Sequence, residues 1–543
     1  MLRNGRVGSN GWRARILCGA AALATAALAA AAGAEAERSD SGFARGVVFR
    51  DSDRDGVRDA GEWGVRGVAV SNGREVVRSD WRGRYRIAVD DDTALFVIKP
   101  RGYATPVSAE RLPRFYYLHK PSGSPSDLAH PGVAPTGPLP DTIDFPLIRS
   151  REPDAFRMLL FGDTQPYTLE ELGFLSHDVI EPLIGADVAF GMTLGDLVGD
   201  DLSLFEPLNR AIAQIGVPWY NALGNHDMNF RARNDADSDD SFERVYGPPT
   251  YAFQVGRVHF VVLDDVIYEG WNDAENRRGR YREGLTDDQL AFVRNYLAGV
   301  PRRDLVVLAL HIPIGGLERH QLPQRRALFE ALAAHPHTLS LSAHTHIQYH
   351  HFFGQEDGLA AGRTHHHLNQ ATTCGSWWLG ALDELGIPHA TMRDGAPNGY
   401  SIVHFDGNAY RVEFRAARRP ADYQMNVIAP EAVRAESAGS TEVLVNVFAG
   451  SERSSVEMRL GVADAWRPLQ RVLRADPLYE EVVAREGDAT RRRDYALPSP
   501  EASRHLWRGT LPENPPRGTA ALEVRTRDMF GQVYSAHRLI RIE

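Results

Sequence analysis

Five short apolar runs, each ending in a residue that can ligate a metal, constrain this chain more than any other feature. Met158 to Phe161 runs into Gly162-Asp163-Thr164-Gln165, Val188 to Leu194 into Gly195-Asp196, and Val217 to Leu223 into Gly224-Asn225-His226-Asp227. Leu305 to Leu310 ends in His311, and Thr338 to Ala343 leads into His344-Thr345-His346. Runs this short and this apolar predict strands covered on both faces. A glycine turn at the carboxyl end of such a strand exposes the polar side chain that follows, and open α/β sheets place their chemistry there. Asp, Asn, Gln and His offer oxygen and nitrogen ligands to a small divalent cation.

Helical patterns fill the gaps between these strands. Leu169 to Leu183 and Leu202 to Ile215 carry apolar residues at three and four spacing. Thr286 caps an amphipathic stretch ending at Leu297, and Pro323 opens another that runs to Ala334. Tyr251 to Val255 and Val258 to Leu263 predict a hairpin around Gly256-Arg257. Strands alternating with helices predict an α/β sandwich.

The order of the motifs resembles the calcineurin-like metallophosphoesterases, whose pattern is D-x-H, GD, GNH[D/E], a lone H and GHxH. Here it runs Asp163-Thr-Gln165, Gly195-Asp196, Gly224-Asn225-His226-Asp227, His311 and Ala343-His344-Thr-His346. The resemblance covers roughly residues 155–415 and departs twice: Gln165 stands where the family has His, and Ala343 where it has Gly. It implies a four-layer αββα metallophosphoesterase sandwich and hydrolysis of a phosphate mono- or diester by a metal-activated water. It also implies two divalent ions: Asp163, Gln165 and His346 on the first, Asn225, His311 and His344 on the second, and Asp196 bridging both. Imidazole and carboxylate suit zinc, iron or manganese, and the Gln165 amide favours a harder ion such as manganese. Gln165 could instead stand behind the ligands. In this reading His226 faces the substrate and protonates the leaving oxygen, and Asp227 orients it. Among alternatives outside hydrolysis, one is a degenerate phosphatase-fold binding or interaction protein of the envelope.

Residues 1–36 read as a secretory signal peptide. Arg3, Arg6, Arg13 and Arg15 precede an Ala-rich apolar run from Ile16 to Ala32, with small residues following at Ala34 and Ala36. We therefore expect export to the periplasm or the outside, with no stable membrane anchor after cleavage. Removal of Cys18 with this segment leaves Cys374 alone, expected to be buried near the site. A net charge of -10 argues against a nucleic-acid-binding surface.

Short β-type runs from 42 to 150 predict a β-sandwich. Within it, Asp51, Asp53, Asp55, Val57, Asp59 and Glu62 hold positions one, three, five, seven, nine and twelve of an EF-hand loop, with Gly56 at six. No amphipathic helix flanks it. Strand, acidic loop and strand resemble the calcium-stapled B repeats of bacterial surface proteins, which implies a structural calcium ion; the alternative is a solvated acidic turn. Residues 421–543 alternate again as a second β-rich domain, similar to the C-terminal domain of some secreted members of the family.

Two further segments invite functional readings. Trp377 and Trp378, with Asp394 and Asn398, form a candidate substrate wall beyond the last metal motif; the alternative is a packed loop. His365, His366 and His367 would fall on two faces of one strand, and we expect them to be structural.

Overall fold

The apolar runs pair into two sheets in the computed structural model, which describes residues 42–486 and 496–543. The expected signal segment, with Cys18, lies outside the described residues. In the first sheet Trp219–Ala222, Phe190–Leu194 and Ala155–Phe161 run parallel, and the hairpin Gly399–Asp406 and Ala409–Ala416 continues it antiparallel. In the second, Val258–Val262, Leu305–Ala309, Thr338–Ser342 and His365–Asn369 run parallel. Tyr251–Val255 and Tyr349–Phe353 close its two edges by antiparallel pairing.

Strand alternation assigns each side chain its layer. Met158 and Leu160 enter the core between the sheets, whereas Leu159 and Phe161 pack outward with Leu172, Leu175, Phe205 and Leu208. Phe190 bridges the sheets, its ring edge-on to Phe253 at 5.5 Å and to Phe260 at 5.3 Å, while Tyr220 stacks on Phe253 at 3.8 Å. The helices Leu169–Leu175 and Phe205–Ile212 cover the first sheet; Asp287–Leu297 and Arg325–Leu332 cover the second. This is the expected four-layer αββα sandwich.

Local chemistry sets the helix ends. Thr286 and Gln289 form a full capping box. The stretch expected as one helix from Leu169 to Leu183 is α-helical only to Leu175, then widens to a π-turn over Ser176–Ile180 and tightens over Glu181–Leu183. The Ser176 hydroxyl donates to the Leu172 carbonyl at 2.8 Å, and Pro182 has no N–H to continue the ladder.

Two four-stranded sheets form the N-terminal region, one centred on Gly42–Arg50, the other on Ala69–Ser71 and Thr93–Val97. Their core is continuous with that of the two central sheets: Phe96 meets Phe292 at 5.6 Å and Phe115 meets Tyr251 at 5.1 Å. The C-terminal region pairs a four-stranded and a five-stranded sheet around Trp507, Val445 and Leu522. Two of its contacts reach the central sandwich region, from His505 Nε2 to Asp394 at 3.0 Å and from Asn446 Nδ2 to the Asp394 carbonyl at 3.0 Å.

Candidate metal centre

Asp163, Asp196, Asn225, His311 and His344 each follow a parallel strand, so the two sheets present all five at one end of the sandwich. Gly195 and Gly224 make this convergence possible. A Cβ on Gly224 would lie 2.0 Å from the Asp196 nitrogen, and one on Gly195 would lie 2.6 Å from His311 Nδ1. Gly195 also takes a φ of +86°, open to glycine at little cost. The chain tolerates Ala343 in a glycine position because it faces Gly162, where a Cβ would stand 3.1 Å from the Ala343 methyl.

Donor atoms cluster around His311 Nε2. Asn225 Oδ1 and His344 Nδ1 each lie 3.1 Å away, and Asp196 Oδ2 lies 3.2 Å away. Nδ1 of His311 donates to the Leu194 carbonyl at 2.8 Å, which leaves Nε2 as the nitrogen that could hold a metal. His346 Nδ1 likewise donates to the Gly375 carbonyl at 2.6 Å, so its Nε2 faces Asp163 Oδ2 at 3.9 Å. The Asp163 carboxylate accepts the His344 N–H at 3.0 and 3.2 Å.

The electrostatics fit a cation. Burial opposes a proton on His311, yet Asp196 and Asp163 outweigh it and raise the imidazole to about 10. Burial first, with neighbouring cationic groups adding to it, pulls His346 down to about 3 and His344, beside His311, well below its ordinary value. Imidazoles and buried carboxylates in one anionic pocket, with the neighbouring carboxylates drawing positive charge to His311, are the donor set of a divalent ion. The backbone is strained to hold it: Gln165, Asp196, Asp200, His344 and His346 all have positive φ.

His226 lies at the edge, its side chain 20% exposed. Its Nδ1 is 2.5 Å from Asp200 Oδ1, and its backbone N–H donates to Asp196 Oδ1 at 2.8 Å. Burial opposes the charged imidazole, but Asp196 and then Asp200 outweigh it, so its pKa is raised. Asp227 does not orient His226, contrary to the sequence expectation. Its carboxylate accepts the backbone N–H groups of Leu197, Val198 and Gly224 and ties the two motif loops together. The sequence held a signal for Asp200: a second aspartate four residues past Asp196.

Three of the four expected substrate residues are structural instead. Trp378 is fully buried and donates to the Thr164 carbonyl at 3.0 Å. Asp394 is buried, accepting the Gln348 N–H at 2.6 Å and meeting His505. Asn398 donates to Asp178 at 2.6 Å and to the Thr373 carbonyl at 3.1 Å. Trp377 alone remains at the site, stacked on His346 with ring centres 3.8 Å apart. Residues around it that the motifs did not flag are Tyr167 beside His226, Tyr281 and His320 beside His344, and Arg278 on Asp200 at 3.2 Å. Arg278 and Tyr281 come from residues 264–284, which carry no motif.

The remaining expected residues fall elsewhere. His365 and His367 face Ser340 on one side of their strand and His366 faces Tyr410 on the other. In the N-terminal loop, Asp51, Asp53 and Glu62 bring carboxylate oxygens within 4.8 Å of one another, as do Asp53, Asp55 and Asp59. Gly56 turns this loop with a φ of +79°. Cys374 is buried beside Gln165 and His346.

Three family models match the chain in succession: the N terminal of calcineurin-like phosphoesterase over 52–129, calcineurin-like phosphoesterase over 156–348, and the C terminal of calcineurin-like phosphoesterase over 367–534. The chain belongs to the calcineurin-like phosphoesterases, a family of metal-dependent phosphoesterases. Among solved structures it is similar to a purple acid phosphatase, PPD1, isolated from yellow lupin (Lupinus luteus) seeds. Identity is 12% over 69% of this chain and 67% of that one, with a TM-score of 0.34. It is also similar to a metallophosphoesterase from Sphaerobacter thermophilus, at 14% identity over 48% of this chain and 89% of that one, TM-score 0.22. No curated protein matches it. Among the described residues, no helix is long and apolar enough to cross a membrane.

Proposed function

We propose that this protein is an exported phosphoesterase that works with two divalent ions, manganese, zinc or iron, on a phosphate mono- or diester. Asp163, Gln165 and His346 would hold one ion, Asn225, His311 and His344 the other, and Asp196 both. Bound there, the ions would neutralise phosphoryl charge and acidify a water. The observation that carries the reading is the Asp200–His226 contact beside these ligands. With Nδ1 on Asp200, His226 keeps Nε2 for the substrate, and the carboxylates around it favour the protonated ring. The ring can therefore hold a proton at Nε2 and pass it to the leaving oxygen. The signal-like segment at residues 1–36 supports export, and the spacing of Asp51 to Glu62 supports a structural calcium ion there.

The test is release of p-nitrophenol from the bis-ester and the monoester by protein stripped of metal and refilled with manganese, zinc or iron. Metal-dependent release that falls about 10²–10⁴-fold in His226→Ala supports the reading. The ratio of the two esters then assigns diester or monoester. No release from folded, metal-loaded protein would favour a binding role.

A further inference from the structure

The two halves of the proposed metal centre are not built alike. Around His311 Nε2, the Asn225 oxygen, the His344 nitrogen and an Asp196 oxygen all lie within 3.2 Å. In the other half, Asp163 Oδ2 and His346 Nε2 stand 3.9 Å apart. The third donor there, Gln165, has both ends of its amide engaged. Nε2 lies 3.4 Å from the Tyr167 hydroxyl, and Oε1 accepts the Cys374 thiol at 3.7 Å. Turning the amide over would place the oxygen against the Tyr167 hydroxyl instead, so it has a competing partner in either orientation.

Cys374 does not replace the missing imidazole. Its sulfur is 3.8 Å from Nδ1 of His346, the nitrogen already bonded to the Gly375 carbonyl, so it stands behind the ligands. An amide oxygen is also a weaker donor to zinc or iron than imidazole, and one that accepts a hydrogen bond has less density to give.

We infer, on the two-ion reading above, that the centre is asymmetric. Asp196, Asn225, His311 and His344 keep one ion tightly. Asp163 and His346, sharing Asp196, take a second that exchanges with the surroundings, and Gln165 adds little. The occupancy of the second position then follows the free metal concentration outside the protein.

Metal content per chain after dialysis against metal-free buffer tests this, followed by manganese titration with calorimetry and electron paramagnetic resonance. The full chain should retain one equivalent and bind a second about 10–100-fold more weakly. Gln165→His should tighten the second event by about 10-fold or more. His346→Ala should abolish that event and leave the first, which keeps the test decisive if Gln165→His fails to fold. Two equally retained equivalents in the wild-type chain would overturn the asymmetry and leave the phosphoesterase reading standing. No retained ion would overturn the asymmetry, and no manganese binding in the titration either would overturn the two-ion reading with it.

Discussion

Nδ1 of His226 lies 2.5 Å from Oδ1 of Asp200, while the neighbouring Asp227 turns its carboxylate onto backbone N–H groups. Asp200 is thus a positioning residue for the candidate acid, and Asp227 a brace of the fold. Asp200→Asn should lower kcat by about 10–100-fold with little change in KM or Tm, because it removes the charge that orients His226 and favours its protonated form. Asp227→Ala should instead cost at least about 3 kcal/mol by orphaning three buried donors. Thermal unfolding and steady-state kinetics on both variants check this; a stable, active Asp227→Ala would contradict it.

The two adjacent tryptophans should separate cleanly. Trp378 fills a closed site against Phe174, so Trp378→Ala should cost about 3–5 kcal/mol and lower Tm by several degrees. Trp377→Ala removes the ring stacked on His346, so it should loosen that ligand and weaken binding of the second ion more than it lowers Tm. Manganese titrations and unfolding curves measured side by side distinguish the two; matching losses of stability would refute the distinction.

Acid should destabilise the strand pair that carries the histidine run. Burial keeps His350 and His365 neutral, pulled down to about 4 and about 3. Their contribution to stability is fully present above about pH 6.5, where neither state is protonated. Below that the unfolded chain takes up protons that the folded chain refuses, at about 1.4 kcal/mol per pH unit for each histidine. The loss continues until the folded values are reached. Tm followed from pH 8 to 4 should fall less steeply in His365→Gln than in the wild type; identical slopes would count against the assignment.

The acidic N-terminal loop should respond to calcium. At a dissociation constant in the range of extracellular modules, about 10⁻⁴–10⁻³ M, millimolar calcium should raise Tm. Asp53→Asn combined with Asp55→Asn should remove the rise. No calcium-dependent shift in the wild-type chain would leave the loop a solvated turn.

Much of the architecture was legible because burial writes itself into short apolar runs. The five ligand-bearing strands, the Gly256-Arg257 hairpin and the Thr286 cap all lie where period and turn chemistry place them. Elements with weak periodicity escape such a reading: Val76–Arg78 is half-buried, and Gln470–Ala475 is largely exposed and gains its order from a strand more than 25 residues on, Ala502–Thr510.

The sequence by itself determined which residue types gather at the candidate metal centre, since each follows a strand and a sheet carries strand ends to one edge. Only the tertiary structure decided which neighbour serves which role. Asp200, and not Asp227, reaches His226 because the Asp196 loop and the Asn225 loop cross at Gly195 and Gly224. Trp378, Asp394 and Asn398 lie in loops with partners 214, 111 and 220 residues away, so neither their spacing nor their chemistry revealed that they are buried. Gln165 was visible as a departure, but its engagement by Cys374 follows from packing across 209 residues of chain.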